Sequence, residues 1–165
     1  MQGIIIVKTL SLFYVTNLKK SGLLPAGTHF ATWEELKDKF GFNKHRLKLL
    51  EGLKQGLQVL IKYGCKEVYV DGSFVTDKPL PNDIDVCYDN THMNWKKFIT
   101  DHPEFNDSKN GNAIQKTKYQ SEFYAFNAYE DYILLFFQFD KSNNSKGIVK
   151  ISYPKGYYDK ERKTI

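Results

Sequence analysis

One stretch constrains this chain more than any other. Val68-Tyr69-Val70-Asp71 reads as a strand that closes on Gly72-Ser73. After the polar loop Thr76 to Asn82, Asp83-Ile84-Asp85 opens a second apolar strand. Glycine lets a backbone approach a phosphate closely, and the neighbouring serine can donate a hydrogen bond to it. Aspartates spaced i, i+2 on a strand point to the same face. Paired carboxylates on one face suit magnesium, which takes hard oxygen ligands and keeps substrate phosphates in its shell. The spacing points to a metal-dependent nucleotide site.

The rest of the composition narrows the class. With 165 residues the chain is long enough for one domain with a real core, and 15% aromatics argues against disorder. The net charge of +5 fits an anionic partner, and equally a basic surface kept for solubility. Cys65 and Cys87 lie in or beside expected strands, so buried free thiols in a reducing, cytoplasmic setting are expected. The histidines His29, His45, His92 and His102 are scattered without ligand spacing, which argues against zinc. The apolar run Gly3 to Leu18 is interrupted by Lys8 and is too short for a membrane span. It is expected to form one or two β-segments, at a sheet edge or in self-association. Three parts are therefore expected: an apolar extension over 1–22, a domain over 23–152 and a basic tail over 153–165 carrying Lys155, Lys160, Arg162 and Lys163.

Within the domain, Leu23 to Gly27 reads as a turn-rich connector. Thr32-Trp33-Glu34-Glu35 is a capping box opening a short helix to Phe40, with Gly41 as its stop. Asn43 caps the next helix, whose core stripe is Leu50, Leu53, Leu57, Leu60 and Ile61, with Gly64 at its end. Met93 to Thr100 is a further short helix, and Asp101 to Gly111 a polar loop. The last third reads as antiparallel sheet: Tyr119 to Phe126, Tyr132 to Asp140, and Ile148 to Ser152.

Nucleotidyl transfer sends a hydroxyl against an α-phosphate in line, and carboxylates on adjacent strands are a common way to hold the two cations it uses. Asp83 and Asp85 supply two acids, and Glu122 is the expected third catalytic and metal-binding carboxylate. Asp131 and Asp140 are the alternatives, at strand ends. Gly72 and Ser73 would bind the phosphates, with Lys78 reaching the same oxygens as a point charge. Taken singly, each of these is ordinary: a Gly-Ser turn, a solvated strand face, a surface glutamate, a surface lysine. Their order along the chain is what points to a site.

The run Gly72-Ser73 through Asp83-Ile84-Asp85 resembles the signature of the nucleotidyltransferase superfamily, with its polymerase-β-like fold. Further segments resemble a small bacterial branch of it: Leu24-Pro25-Ala26-Gly27, Phe40-Gly41-Phe42-Asn43-Lys44-His45-Arg46, Glu122-Phe123-Tyr124 and Lys146-Gly147-Ile148-Val149. The resemblance covers about residues 23 to 152. It implies an α+β domain of minimal nucleotidyltransferase fold, a mixed sheet with helices packed on one side. It implies Mg2+ or Mn2+ as cofactor, a nucleoside triphosphate such as ATP as substrate, and a protein or RNA hydroxyl as acceptor. It also implies a cognate toxin or antitoxin partner, or a phage-defence role, and no membrane. One departure stands out: Phe74-Val75-Thr76-Asp77-Lys78-Pro79 replaces the glycine-rich helix usual after the Gly-Ser pair. The alternative implied is a catalytically degenerate protein of the same fold, acting as a binding or antitoxin subunit.

Overall fold

The structure, a computed structural model, describes residues 17–106, 110–127, 132–140 and 142–152. Within them, strands β1 (Gly27–Thr32), β2 (Val68–Asp71), β3 (Ile84–Asp89), β4 (Ser121–Phe126) and β5 (Gly147–Ser152) form one five-stranded sheet in the order β1-β5-β2-β3-β4. The sheet is mixed. β1 runs parallel to β5 and β3 parallel to β4, while β2 is antiparallel to both of its neighbours. The helices are α1 (Trp33–Phe40), α2 (Lys44–Lys62), α3 (Trp95–Asp101), α4 (Gly111–Tyr119) and α5 (Tyr132–Phe137). This is an α+β domain, and no described helix is long and apolar enough to cross a membrane.

Local chemistry sets most boundaries. Thr32 caps α1 in a complete capping box: the Glu35 N–H donates to Thr32 Oγ1 and the Thr32 N–H to Glu35 Oε2, at 3.2 and 2.8 Å. Asn43 caps α2 by accepting from the Arg46 N–H at 2.9 Å. The stripe Leu49, Leu50, Leu53, Leu57, Leu60 and Ile61 then drives α2 onto the sheet. Ile84, Val86 and Tyr88 of β3 meet it from the sheet side, with Phe98 and Tyr119 closing the core. Two glycines let α2 lie close to the far edge of the sheet. A Cβ at Gly52 would strike the Tyr119 backbone, and one at Gly56 the Phe123 ring.

The other sheet face alternates accordingly: Tyr69, Cys87, Phe126 and Ile148 form a second, smaller apolar cluster. Ile133, Leu134 and Phe137 of α5 pack against it. The helices therefore do not all pack on one side, because this face carries enough apolar surface to need cover of its own. Both cysteines are buried free thiols, as expected.

Three expectations are corrected. The last third is not antiparallel sheet: β4 pairs with β3 in parallel at one edge, and β5 lies between β1 and β2. Tyr132 to Asp140 is not a strand but α5 and the turn after it. Tyr119, expected to open a strand, ends the helix α4, and β4 begins at Ser121; the edge strand β1 and α4 were not expected from the sequence. Residues 1–16 of the expected extension and the tail 153–165 lie outside the described residues. Nearer the domain, Leu18 packs against the core and the Gly22 carbonyl accepts from the Asp77 N–H at 3.2 Å.

Candidate active site

β2 ends in Asp71, and the chain then enters a 3-10 turn over Gly72–Val75. Gly72 has φ +74°, a left-handed conformation that favours glycine. Its missing side chain matters a second time, since a Cβ there would collide with the Asp85 carboxylate. β3 returns antiparallel with Asp71 opposite Asp85, and β4 lies parallel with Glu122 opposite Asp85. Cross-strand partners share a face and neighbouring strands lie about 4.8 Å apart, so Asp71, Asp85 and Glu122 form a row across three strands. Asp83 precedes β3 by one residue. The predicted acids Asp83, Asp85 and Glu122 are thus brought to one end of one sheet face, beside the predicted Gly72-Ser73 turn.

Charges in the row act on one another. Burial raises the Asp85 carboxyl to about 6, Asp83, Asp71 and Glu122 push the same way, and Lys146 opposes them. Burial also raises Asp71, against the attraction of Lys146. Two lysines balance the cluster. Lys146, just before β5, pairs with Asp71, and both side chains are buried. Lys116 of α4 reaches Asp83 Oδ2 at 2.8 Å and Glu122 Oε1 at 3.3 Å. Hydrogen bonding to Asp83, with Glu122 adding to it, raises the Lys116 ammonium. On its other oxygen, Glu122 accepts from the Tyr124 hydroxyl at 3.2 Å.

Carboxylate oxygens are the ligand type that magnesium takes, so in donor chemistry this set fits a divalent cation. In the present arrangement lysine ammonium groups supply the positive charge. Among the described residues, no three His, Cys, Asp or Glu side chains stand in a metal-holding group.

The loop between the two motifs is held from α2. The buried Arg46 guanidinium donates to the carbonyls of Phe40, Phe74, Thr76 and Lys78, and lies 4.4 Å from the ring centroids of both Phe42 and Phe74. Asn43 Nδ2 donates to the Pro79 carbonyl at 2.8 Å, and His45 Nε2 stands 2.6 Å from the Pro81 carbonyl. Thr76 Oγ1 donates to the Ser73 carbonyl at 2.7 Å and accepts from the Lys78 N–H. The first turn of α2 therefore fixes a loop that contains two prolines and no regular structure.

A cavity of about 780 Å³ opens over the row, lined by Asp71, Gly72, Ser73, Lys78, Asp83 and Asp85, with Phe136, Phe137 and Phe139 as an aromatic wall. Its volume is in the range of small-ligand sites. The predicted phosphate groups, Ser73 and Lys78, line it, while Glu122, the outer member of the row, does not. Asp140 also lines it, but its carboxylate is held below the usual range by hydrogen bonds from Asn144 and Ser142 and serves a turn. Asp131 lies outside the described residues.

Sequence reasoning missed Asp71, Lys116 and Lys146. Asp71 was legible, since it alternates with the core residue Val70 and so had to share Asp85's face. The two lysines carry no local signal, because folding alone brings them to the acids.

The fold and site together define an α+β domain with an acidic, aromatic-walled cleft at the end of its central strands. The chain belongs to a protein family of unknown function (DUF6932), whose profile matches residues 16–152. No curated protein and no solved structure matches it.

Proposed function

We propose that this protein is a nucleotidyltransferase of minimal polymerase-β-like fold, moving a nucleotide from a nucleoside triphosphate to a hydroxyl of a protein or RNA acceptor. One observation carries the reading: Asp71, Asp85 and Glu122 stand in register across three adjacent strands, beside the Gly72-Ser73 turn, whose Gly72 is left-handed, at a cavity of nucleotide size.

Gly72 and Ser73 receive the phosphates, and Lys78 adds a mobile positive charge. Asp83, Asp85 and Glu122 would hold Mg2+ or Mn2+, which supplies charge neutralisation and alignment of the phosphate oxygens. Lys116, nearly half exposed, is the group that has to withdraw from Asp83 and Glu122 for those carboxylates to serve. In the transfer, the acceptor hydroxyl oxygen bonds to the α-phosphorus and the α–β bridging P–O bond breaks. Pyrophosphate leaves with the bonding pair, and the hydroxyl proton passes to the Glu122 carboxylate. Arg46 is a positioning residue, fixing the loop that sets Gly72-Ser73 against Asp83.

The test is to incubate the full chain with α-labelled NTPs, Mg2+ or Mn2+, and RNA and protein acceptors. Label should be transferred, and the Asp83→Asn, Asp85→Asn double variant should lose at least about 100-fold of it. Wild-type labelling no greater than that of the double variant would end this reading.

A second reading has its own observation, the lysine contacts on Asp71, Asp83 and Glu122 where a catalytic site needs cations. It makes the protein a degenerate member of the fold that binds a cognate toxin or antitoxin. It expects one stoichiometric partner to co-purify, with affinity kept after both aspartates are replaced.

A further inference from the structure

Lysine is almost never fully buried without a partner. Lys146 is 8% exposed, and its ammonium donates to Asp71 Oδ1. The backbone around it is pinned. The Lys146 N–H donates to the Gln138 carbonyl at 2.8 Å, and the Gly147 N–H to the Leu24 carbonyl at 3.2 Å. The side chain therefore leaves from a fixed point. β5 runs antiparallel to β2 with Val149 opposite Val70, so the residue preceding β5 comes to the end of β2, where the chain turns through Gly72-Ser73. Lys146, Asp71, Gly72 and Ser73 all line the first cavity.

An ammonium carries three N–H donors. Among the described residues, Asp71 is the one hydrogen-bond acceptor that Lys146 has, so two donors remain for an acceptor in the cavity it lines. Lys78 lines the same cavity from an exposed loop position, whereas Lys146 is held in place by burial and by its partner. The chain after β2 makes a single 3-10 turn over Gly72–Val75, too short to bring a helix dipole to an anion. A fixed positive charge beside this turn has to come from a side chain, and Lys146 is the buried one. The cavity is thus polarised, with Lys146 on the β5 side of Asp71 and the carboxylates of Asp83 and Asp85 on the β3 side.

We propose that Lys146 is a phosphate-binding residue, which receives the pyrophosphate half of a nucleoside triphosphate beside the Gly72-Ser73 turn while Asp71 holds it in place. The proposal rests on the transferase reading and deepens it by fixing which way the substrate lies. The β- and γ-phosphate oxygens accept from the two remaining Lys146 donors, and the α-phosphate faces Asp83 and Asp85. Charge that gathers on the departing pyrophosphate then meets an ammonium already aimed at it. Asp71 stays with Lys146, and the acids on β3 and β4 are left to their own role.

The experiment is isothermal titration of the full chain with magnesium tripolyphosphate, and with magnesium citrate as a polyanion that carries no phosphate. Tripolyphosphate should bind more tightly than citrate. Replacing Lys146→Met and Asp71→Asn together leaves no buried charge unpaired, and this variant should bind tripolyphosphate at least about tenfold more weakly. Asp71→Asn alone keeps the ammonium and an oxygen to accept from it, and should bind nearly as wild type. A second measurement needs no variant to fold: in a chain labelled with 15Nζ-lysine, tripolyphosphate should shift the Lys146 ammonium resonance and leave that of Lys150, paired with Glu67, in place. Citrate bound as tightly, a double variant that binds as wild type, or an unmoved Lys146 resonance would overturn the proposal. So would a loss in Asp71→Asn as large as in the double variant, since the pair would then serve the fold alone. No nucleotide and no turnover enter these measurements, so their failure is separable from failure of the transferase reading. Transfer by the double variant with an unchanged KM for NTP removes the role of Lys146 alone. Lys146-dependent tripolyphosphate binding without transfer removes the reaction alone.

Discussion

Burial, with Asp83, Asp71 and Glu122 around it, raises the Asp85 carboxyl to about 6. A carboxyl whose folded value lies above its unfolded value of 3.8 favours folding when protonated. That stability is fully present below about pH 4 and is lost as pH rises through about 6. Above that range the folded chain holds an ionised group at a cost. Asp85→Asn removes the cost. Denaturant unfolding should show the variant more stable than wild type by about 3 kcal/mol at pH 8 and nearly equal at pH 4. Equal stability at both values would mean that Asp85 sits outside the repulsive cluster. Asp83, Asp85 and Gly72 were legible in the chain because strand alternation and turn chemistry are local. Glu122 was legible as an acid on a neighbouring strand facing the same way, but its register opposite Asp85 and the parallel direction of β4 were not, because the intervening helices α3 and α4 set where β4 begins.

At the scale of elements, α2 does two jobs. Its leucine stripe supplies the core, and its first turn clamps the loop from Phe74 to Pro81 through Asn43, His45 and Arg46. The guanidinium fork meets four carbonyls at once, a geometry that an ammonium group cannot reproduce. Arg46→Lys should therefore destabilise the chain by about 2–4 kcal/mol in urea unfolding. On the proposed function it should also raise the KM for NTP more than it lowers kcat, since the loop carries Lys78, a proposed phosphate-binding group. A KM unchanged beside a lowered stability would confine Arg46 to packing. α5 shows where element reading runs out. Tyr132-Ile133-Leu134-Leu135-Phe136-Phe137 is a short unbroken apolar run, and periodicity alone cannot separate helix from strand there. What decides it is the apolar patch of Tyr69, Cys87 and Phe126 that Ile133, Leu134 and Phe137 come to cover. α4 escaped notice for a related reason: none of its side chains except Gln115 and Tyr119 is buried, so it shows little apolar stripe.

For the molecule as a whole, the proposed cation site would make folding and cation binding one equilibrium. Carboxylates that repel one another in the folded chain are relieved by a divalent ion, and a ligand that binds only the folded state stabilises it by mass action. Saturating Mg2+ or Mn2+ should raise the thermal midpoint by several degrees, reversibly on chelation. The rise should vanish in a variant carrying both Asp83→Asn and Glu122→Gln, and a rise retained in that variant would place the ion elsewhere. By itself the amino-acid sequence determined the capped helices α1 and α2, the strand–turn–strand motif and its two aspartates, because these depend on neighbours a few residues apart; the α+β class came from the resemblance. Only the tertiary structure decided that β4 is parallel to β3, that α5 walls the cleft, and that Lys116 and Lys146 stand on the acids. Those features depend on which distant surfaces have apolar area to bury and charge to neutralise, and that is set only once the whole sheet has assembled.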